Sequence, residues 1–127
     1  MMEKKIFISY SHEDSTYANL LARTLTKKGV EIFTGQDIMP GENWEDTLRK
    51  ELEESSAVIA IISDNWNRST WAATEYGAAY ALGKKIIPVL IDDISSELTI
   101  DIKRFLSVDG KNEDLESVAH QVEEALV

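Results

Sequence analysis

The chain contains no cysteine. It therefore has no disulfide framework, no thiol nucleophile and no thiolate metal site. Histidine is scarce: His12 and His120 stand far apart in the sequence, so no transition-metal centre is expected and no metal ligand is assigned. A Walker-type phosphate loop and the GxGxxG run are both missing, which removes two common nucleotide-binding devices. No GxSxG elbow occurs, and Ser9, Ser11 and His12 are too close in sequence to form a nucleophile–base pair at a strand end. Positive charge is in deficit, with 13 basic against 23 acidic residues and a net charge of -10. That balance disfavours nonspecific binding to nucleic acid and docking on anionic membranes. No apolar stretch is long enough to span a bilayer, and the one after Met1 is too short for a secretory signal. A cytoplasmic protein, or a cytoplasmic module cut from a longer one, is the expectation.

What is present suits one globular domain over residues 1–127. The length supports a single real core, and 43% hydrophobic residues is ordinary for such a domain. Lys5 to Tyr10 (KIFISY) is β-branched and aromatic and reads as a first strand. Asp14 or Ser15 is placed to cap a helix whose apolar positions are Tyr17, Leu20, Leu21 and Leu25, with Gly29 as its stop. Val30 to Phe33 is a second strand, and Thr34 to Gly41 a loop. Trp44, Leu48 and Leu52 form one stripe of a second helix, with Trp44 expected against the sheet. Ala57 to Ile62 (AVIAII) is apolar without alternation, the pattern of a central parallel strand covered on both faces. Ser63 to Arg68 reads as polar loop with Trp66 half exposed or capping the core. Trp71 to Leu82 is a small-residue helix ending at Gly83. Ile86 to Ile91 is a fourth strand, whose Pro88 points to an edge or a local irregularity. Phe105 to Val108 is a short fifth strand, and Leu115, Val118, Ala119, Val122 and Leu126 mark a closing helix.

Alternation of strands and helices predicts an α/β fold, a flavodoxin-like three-layer sandwich around a five-stranded parallel sheet of order 2-1-3-4-5. Its crevice lies beyond the carboxyl ends of the first and third strands. Ser11-His12-Glu13-Asp14 and Ser63-Asp64-Asn65 follow those strands. A phosphoacceptor receiver would share this topology. Its acidic pair abuts the first strand, however, whereas Tyr10-Ser11-His12 intervene here, and no basic residue ends the fifth strand before Lys111.

The residues left with chemistry are Trp71 and Glu75, one helical turn apart on a shared face. A lone carboxylate beside an aromatic wall suits a reaction whose leaving group departs neutral and leaves a cationic sugar. Loss of nicotinamide from NAD+ is one. The pyridinium needs no general acid, and Glu75 could steady the oxocarbenium-like ribosyl cation. The plainer alternative is a surface glutamate beside a packed tryptophan.

Three segments resemble the TIR (Toll/interleukin-1 receptor) domain, most like its bacterial and archaeal members. They are Ile6 to Asp14 (IFISYSHED), the BB-loop box Gly35 to Gly41 (GQDIMPG), and Ser69 to Glu75 (STWAATE). The last is similar to the family's S-x-W-C-x-x-E pattern, with Ala72 in the Cys position. The resemblance implies one of two functions. Enzymatic members cleave NAD+ into nicotinamide and ADP-ribose or a cyclic isomer, in prokaryotic signalling or antiphage defence. Adaptor members only bind other TIR domains. For an enzyme, it implies Glu75 as the catalytic residue, with Tyr10, Ser11, Phe33, Thr34, Asp37 and Trp71 lining the substrate pocket. NAD+ is then substrate, and no separate cofactor is expected. It further implies self-association, with the BB loop Thr34 to Gly41 at the interface between neighbouring domains.

Overall fold

The computed structural model describes residues 4–34, 41–92 and 107–126. The chain begins with β1 (Lys5–Ser9), a 3-10 turn at His12–Asp14 and α1 (Ser15–Lys27). Next come β2 (Glu31–Thr34), α2 (Trp44–Glu54), β3 (Ala57–Ile62), a short α3 (Asp64–Arg68) and α4 (Thr70–Ala81). It closes with β4 (Lys85–Leu90), β5 (Val108–Asp109) and α5 (Leu115–Ala125). All pairings are parallel and the order is β2-β1-β3-β4-β5, the flavodoxin-like order expected from the alternation.

Every residue of β3 is buried. Ala57, Ile59 and Ile61 join Ile6 and Ile8 in a cluster with Leu21, Leu25, Val118 and Val122 of α1 and α5. Val58, Ala60 and Ile62 pack on the other face with Phe7, Leu48, Leu52, Ala72 and Tyr76. Strand geometry sends alternate side chains to opposite faces, so a central strand between two helical layers must be apolar throughout.

Pro88 lies inside β4, opposite Ala60 of β3. Ile91 N–H donates to Ile62 O on the β3 side, and Leu90 O accepts from Gly110 on the β5 side. Backbone polar groups alternate in direction, so the nitrogen of Pro88 faces β5. Among the described residues that ladder starts only at Val89, opposite Val108. Proline thus sits where β4 gives up no bond of the described ladder. Of the expected fifth strand, residues 105 and 106 lie outside the described residues.

Two local expectations are corrected. Ser63 to Arg68 is not a loop throughout: Ser63 Oγ accepts from Trp66 N–H at 2.9 Å and starts α3. Five residues are too few to show helical periodicity, and the short turn exists because it lowers Trp66 into the core, where it is 1% exposed. Asp14 makes no side-chain cap for α1; its carboxylate instead accepts from the Ser63 hydroxyl, tying the turn after β1 to the end of β3.

Gly110, just past β5, is required by close approach. A Cβ there would lie 2.8 Å from Tyr17 Oη and 3.0 Å from both Ile91 Cγ2 and Val89 Cγ1. Gly110→Ala is expected to destabilise the fold by about 1–3 kcal/mol through overpacking. An unchanged urea midpoint would show that the neighbours yield freely.

Candidate active site

The crevice at the carboxyl ends of β1 and β3 holds a cleft of about 350 Å³, lined among others by Tyr10, His12, Arg68, Trp71 and Glu75. Each side chain arrives for a local reason. Tyr10 follows β1, and His12 and Glu13 lie on the 3-10 turn, whose backbone is closed by Asp14 N–H to Ser11 O at 2.8 Å. Asn65 and Arg68 come from α3, and Arg68 donates to Asn65 Oδ1 at 3.3 Å. Ser69 then caps α4, its Oγ accepting from Ala72 N–H at 3.1 Å. That cap sets the start of α4, and the helical repeat places Trp71 and Glu75 on one face, over the cleft.

Glu75 is 1% exposed, whereas Trp71 is 36% exposed at the rim. Burial pushes the Glu75 carboxyl up to about 8; hydrogen bonds from the Ser9 hydroxyl and the Trp71 indole pull the other way without cancelling it. One carboxylate oxygen, Oε2, is buried with no hydrogen-bond partner. A buried acid with a free oxygen beside a cavity is not the surface glutamate of the plainer reading. Glu13, by contrast, is held below the usual carboxylate range by the Ser11 hydroxyl.

The cleft gathers three of the expected residues: Tyr10, Trp71 and Glu75. Ser11 is buried and bonds Glu13 rather than facing the cleft. Phe33 packs on Phe7 with ring centroids 5.5 Å apart, and Lys5 lies over its ring. Neither Phe33 nor Thr34, both on β2, lines the cleft. Asp37, with residues 35–40 of the BB loop, lies outside the described residues. Sequence reasoning put Asn65 at the crevice mouth without giving it a role and missed Arg68, because the stretch holding them read as loop. The polar run after the third strand was their one signal. It also misplaced Trp44, which is 43% exposed and packs its ring on Trp71 at 5.1 Å. Leu48 and Leu52 occupy the core-facing positions of α2, and the first turn finds an aromatic partner at the rim instead. On the acidic face of α2, Lys5 bridges Glu51 and Glu54. Among the described residues no group of three or more His, Asp and Glu side chains is placed to hold a metal ion.

The TIR domain family model matches residues 6–126. The chain belongs to the TIR domain family. This TIR domain is 26% identical over 134 residues to a probable 2′ cyclic ADP-D-ribose synthase of Methanobrevibacter olleyae, a match covering 98% of this chain and 39% of that protein. It is 25% identical over 119 residues to a putative cyclic ADP-D-ribose synthase of Cytobacillus dafuensis, covering 87% of this chain and 30% of the other. The TIR domain thus spans well under half the length of either relative. Among solved structures it resembles the TIR domain of a Toll-related receptor from Hydra magnipapillata, with a TM-score of 0.80, 20% identity, and coverage of 95% of this chain and 96% of that one. No helix among the described residues is long and apolar enough to cross a membrane.

Proposed function

We propose that this TIR domain cleaves NAD+ at the bond between nicotinamide and ribose. The observation that carries the reading is the buried Glu75 carboxyl, with its unpartnered Oε2, at a cleft walled by Trp71. As the glycosidic bond breaks, nicotinamide keeps the bonding pair and leaves neutral, and positive charge develops at ribose C1′. A carboxylate in a water-poor site stabilises that charge far more than it would in water. Water, or a nucleophilic atom of the same substrate, then bonds C1′ and loses a proton. The first gives ADP-ribose, the second a cyclic isomer. Names given to the two prokaryotic relatives support the same chemistry.

The cleft's volume lies at the low end for small-ligand pockets and suits the nicotinamide–ribose end of the dinucleotide. Arg68, permanently cationic among the lining residues, suits the diphosphate. The remainder of the substrate then extends over the rim, where Trp44 and Trp71 are exposed, and a neighbouring domain could complete the enclosure. Self-association, with Thr34 to Gly41 at the interface, is part of the proposal, as are a place in the cytoplasm and a role in prokaryotic signalling or antiphage defence.

The test is nicotinamide release from NAD+ by concentrated protein, with and without an oligomerising tag, followed across pH. Glu75 titrates near 8 in the free protein and must be anionic to act, so kcat/KM should rise with pH toward that value. The pyridinium charge of bound substrate favours the anion, which places the kcat limb at lower pH. No release from folded protein in any of these conditions would leave the interaction-module reading.

A further inference from the structure

The first turns of α2 and α4 meet at the rim of the cleft through two aromatic rings. Trp71, which lines the cleft, is the second residue of α4. A long side chain in a helix leans toward the N-terminus, over the residues three and four places earlier. For Trp71 those are Arg68 and Asn67, which belong to α3, so α4 has no turn of its own beneath the ring. The ring meets Trp44 instead, the first residue of α2, with centroids 5.1 Å apart and planes inclined at 56°. Trp44 itself is not among the residues lining the cleft.

Both helix starts are fixed from below. Leu48 and Leu52 of α2 share a core cluster with Ala72 and Tyr76 of α4, which sets the separation of the two helices. Around Trp44, Asn43 Oδ1 accepts from the Glu45 and Asp46 N–H groups at 3.1 and 3.3 Å, and Thr47 Oγ1 donates to Glu42 Oε2 at 3.0 Å. A ring left 43% exposed adds little to a core that Leu48 and Leu52 already reach from α2. Its contact is with the cleft wall.

We propose that Trp44 is a positioning residue, whose ring backs the Trp71 ring from outside the cleft and holds it as a fixed wall. The inference deepens, and rests on, the reading of the cleft as the site of the nicotinamide–ribose end of NAD+. An aromatic pair is worth about threefold to tenfold in an equilibrium, enough to favour one Trp71 rotamer over the solvent-facing alternatives. A wall already in place spares the substrate the cost of ordering it. Trp44 therefore acts on that end of the substrate through Trp71.

The test has two readouts. The first is 15N relaxation of the Trp71 indole Nε1–H, its resonance assigned by loss in Trp71→Phe. The indole should be rigid in the wild type, and in Trp44→Ala its order parameter should fall toward the flexible range, below about 0.6. Trp44→Phe keeps a ring face and should stay near the wild type. The second readout is the kinetics of nicotinamide release. Trp44→Ala should raise KM about threefold to tenfold with kcat little changed, as expected for lost binding that ground state and transition state share. A merely structural role would lower the folded fraction, which reduces kcat per domain and leaves KM alone. In a Trp71→Ala background, Trp44→Ala should add little, because the residue it acts through is gone. An unchanged Trp71 order parameter in folded Trp44→Ala overturns the proposal, as does a KM effect of Trp44→Ala that is equally large without Trp71. Should Trp44→Ala not fold, Trp44→Leu, apolar but without a ring face, is read by the same criteria. A wild type that releases no nicotinamide, yet loosens Trp71 in Trp44→Ala, removes the enzymatic reading and leaves the positioning contact standing.

Discussion

Glu75→Gln is expected to reduce nicotinamide release by roughly 10²–10³-fold, the loss typical of removing one aimed electrostatic group from a dry site. Gln keeps the shape of the side chain and takes away its charge, so a folded, inactive variant isolates electrostatics from packing. Glu75→Ala removes the shape as well and leaves a cavity beside Trp71. Two variants equally inactive and both folded would mean that the charge dominates. The measurement is nicotinamide formed per domain under single-turnover conditions, which excludes product release as the slow step. Release that persists in Glu75→Gln at near wild-type rate would remove the carboxylate from the mechanism, whatever else binds in the cleft.

The same substitution should stabilise the fold, and do so in a pH-dependent way. The Glu75 carboxyl goes from 4.5 in the unfolded chain to about 8 when buried. Below pH 4.5 it is protonated in both states and contributes no slope. Between these values the folded protein holds one proton more than the unfolded chain, so stability falls as pH rises. Above about 8 the folded state carries the full cost of a buried anion, on the order of 5 kcal/mol from that displacement. Gln does not ionise, and its variant should lack this decline. Its gain at high pH is smaller than the whole cost, because the Gln amide must face the Ser9 and Trp71 donors with one fewer acceptor oxygen. Urea midpoints of both proteins at pH 5 and pH 8.5 check the sign. All other titrating groups are common to the two proteins and cancel in the difference. Parallel pH dependences would show that Glu75 is not buried as an acid in solution. The conflict between stability and charge at one side chain is what a functional site shows and a structural glutamate does not.

Some features were legible because they repeat or punctuate. AVIAII read as a strand covered twice, since a strand with one solvent face alternates polar and apolar residues. Gly29 and Gly83 stand past α1 and α4 with φ of 87° and 69°, the left-handed residues that end helices. Trp71 and Glu75 were legible as a pair because the helical repeat alone puts them on one face. Other features left no local trace. Trp66 looks like a loop aromatic until Ser63 caps five residues and lowers its ring beside Tyr76. Trp44 keeps the spacing of a core stripe, yet its neighbour in space is Trp71, which lies 27 positions away in sequence. Asp14 sits in a capping position, but the nearer donor is Ser63, 49 residues on.

From its amino-acid order alone, this protein has its layers, its strand order, and the acid and aromatic that share one turn of α4. Those follow from period, patterning and chain connectivity, which are properties of neighbours along the chain. Whether that acid would be solvated or buried was decided only when β1, α3 and α4 packed together. Burial sets its proton affinity, and Ser9, whose side chain opposes that shift, lies 66 positions away in sequence. Desolvation depends on everything around a group in space, so the chemistry of Glu75 belongs to the tertiary structure.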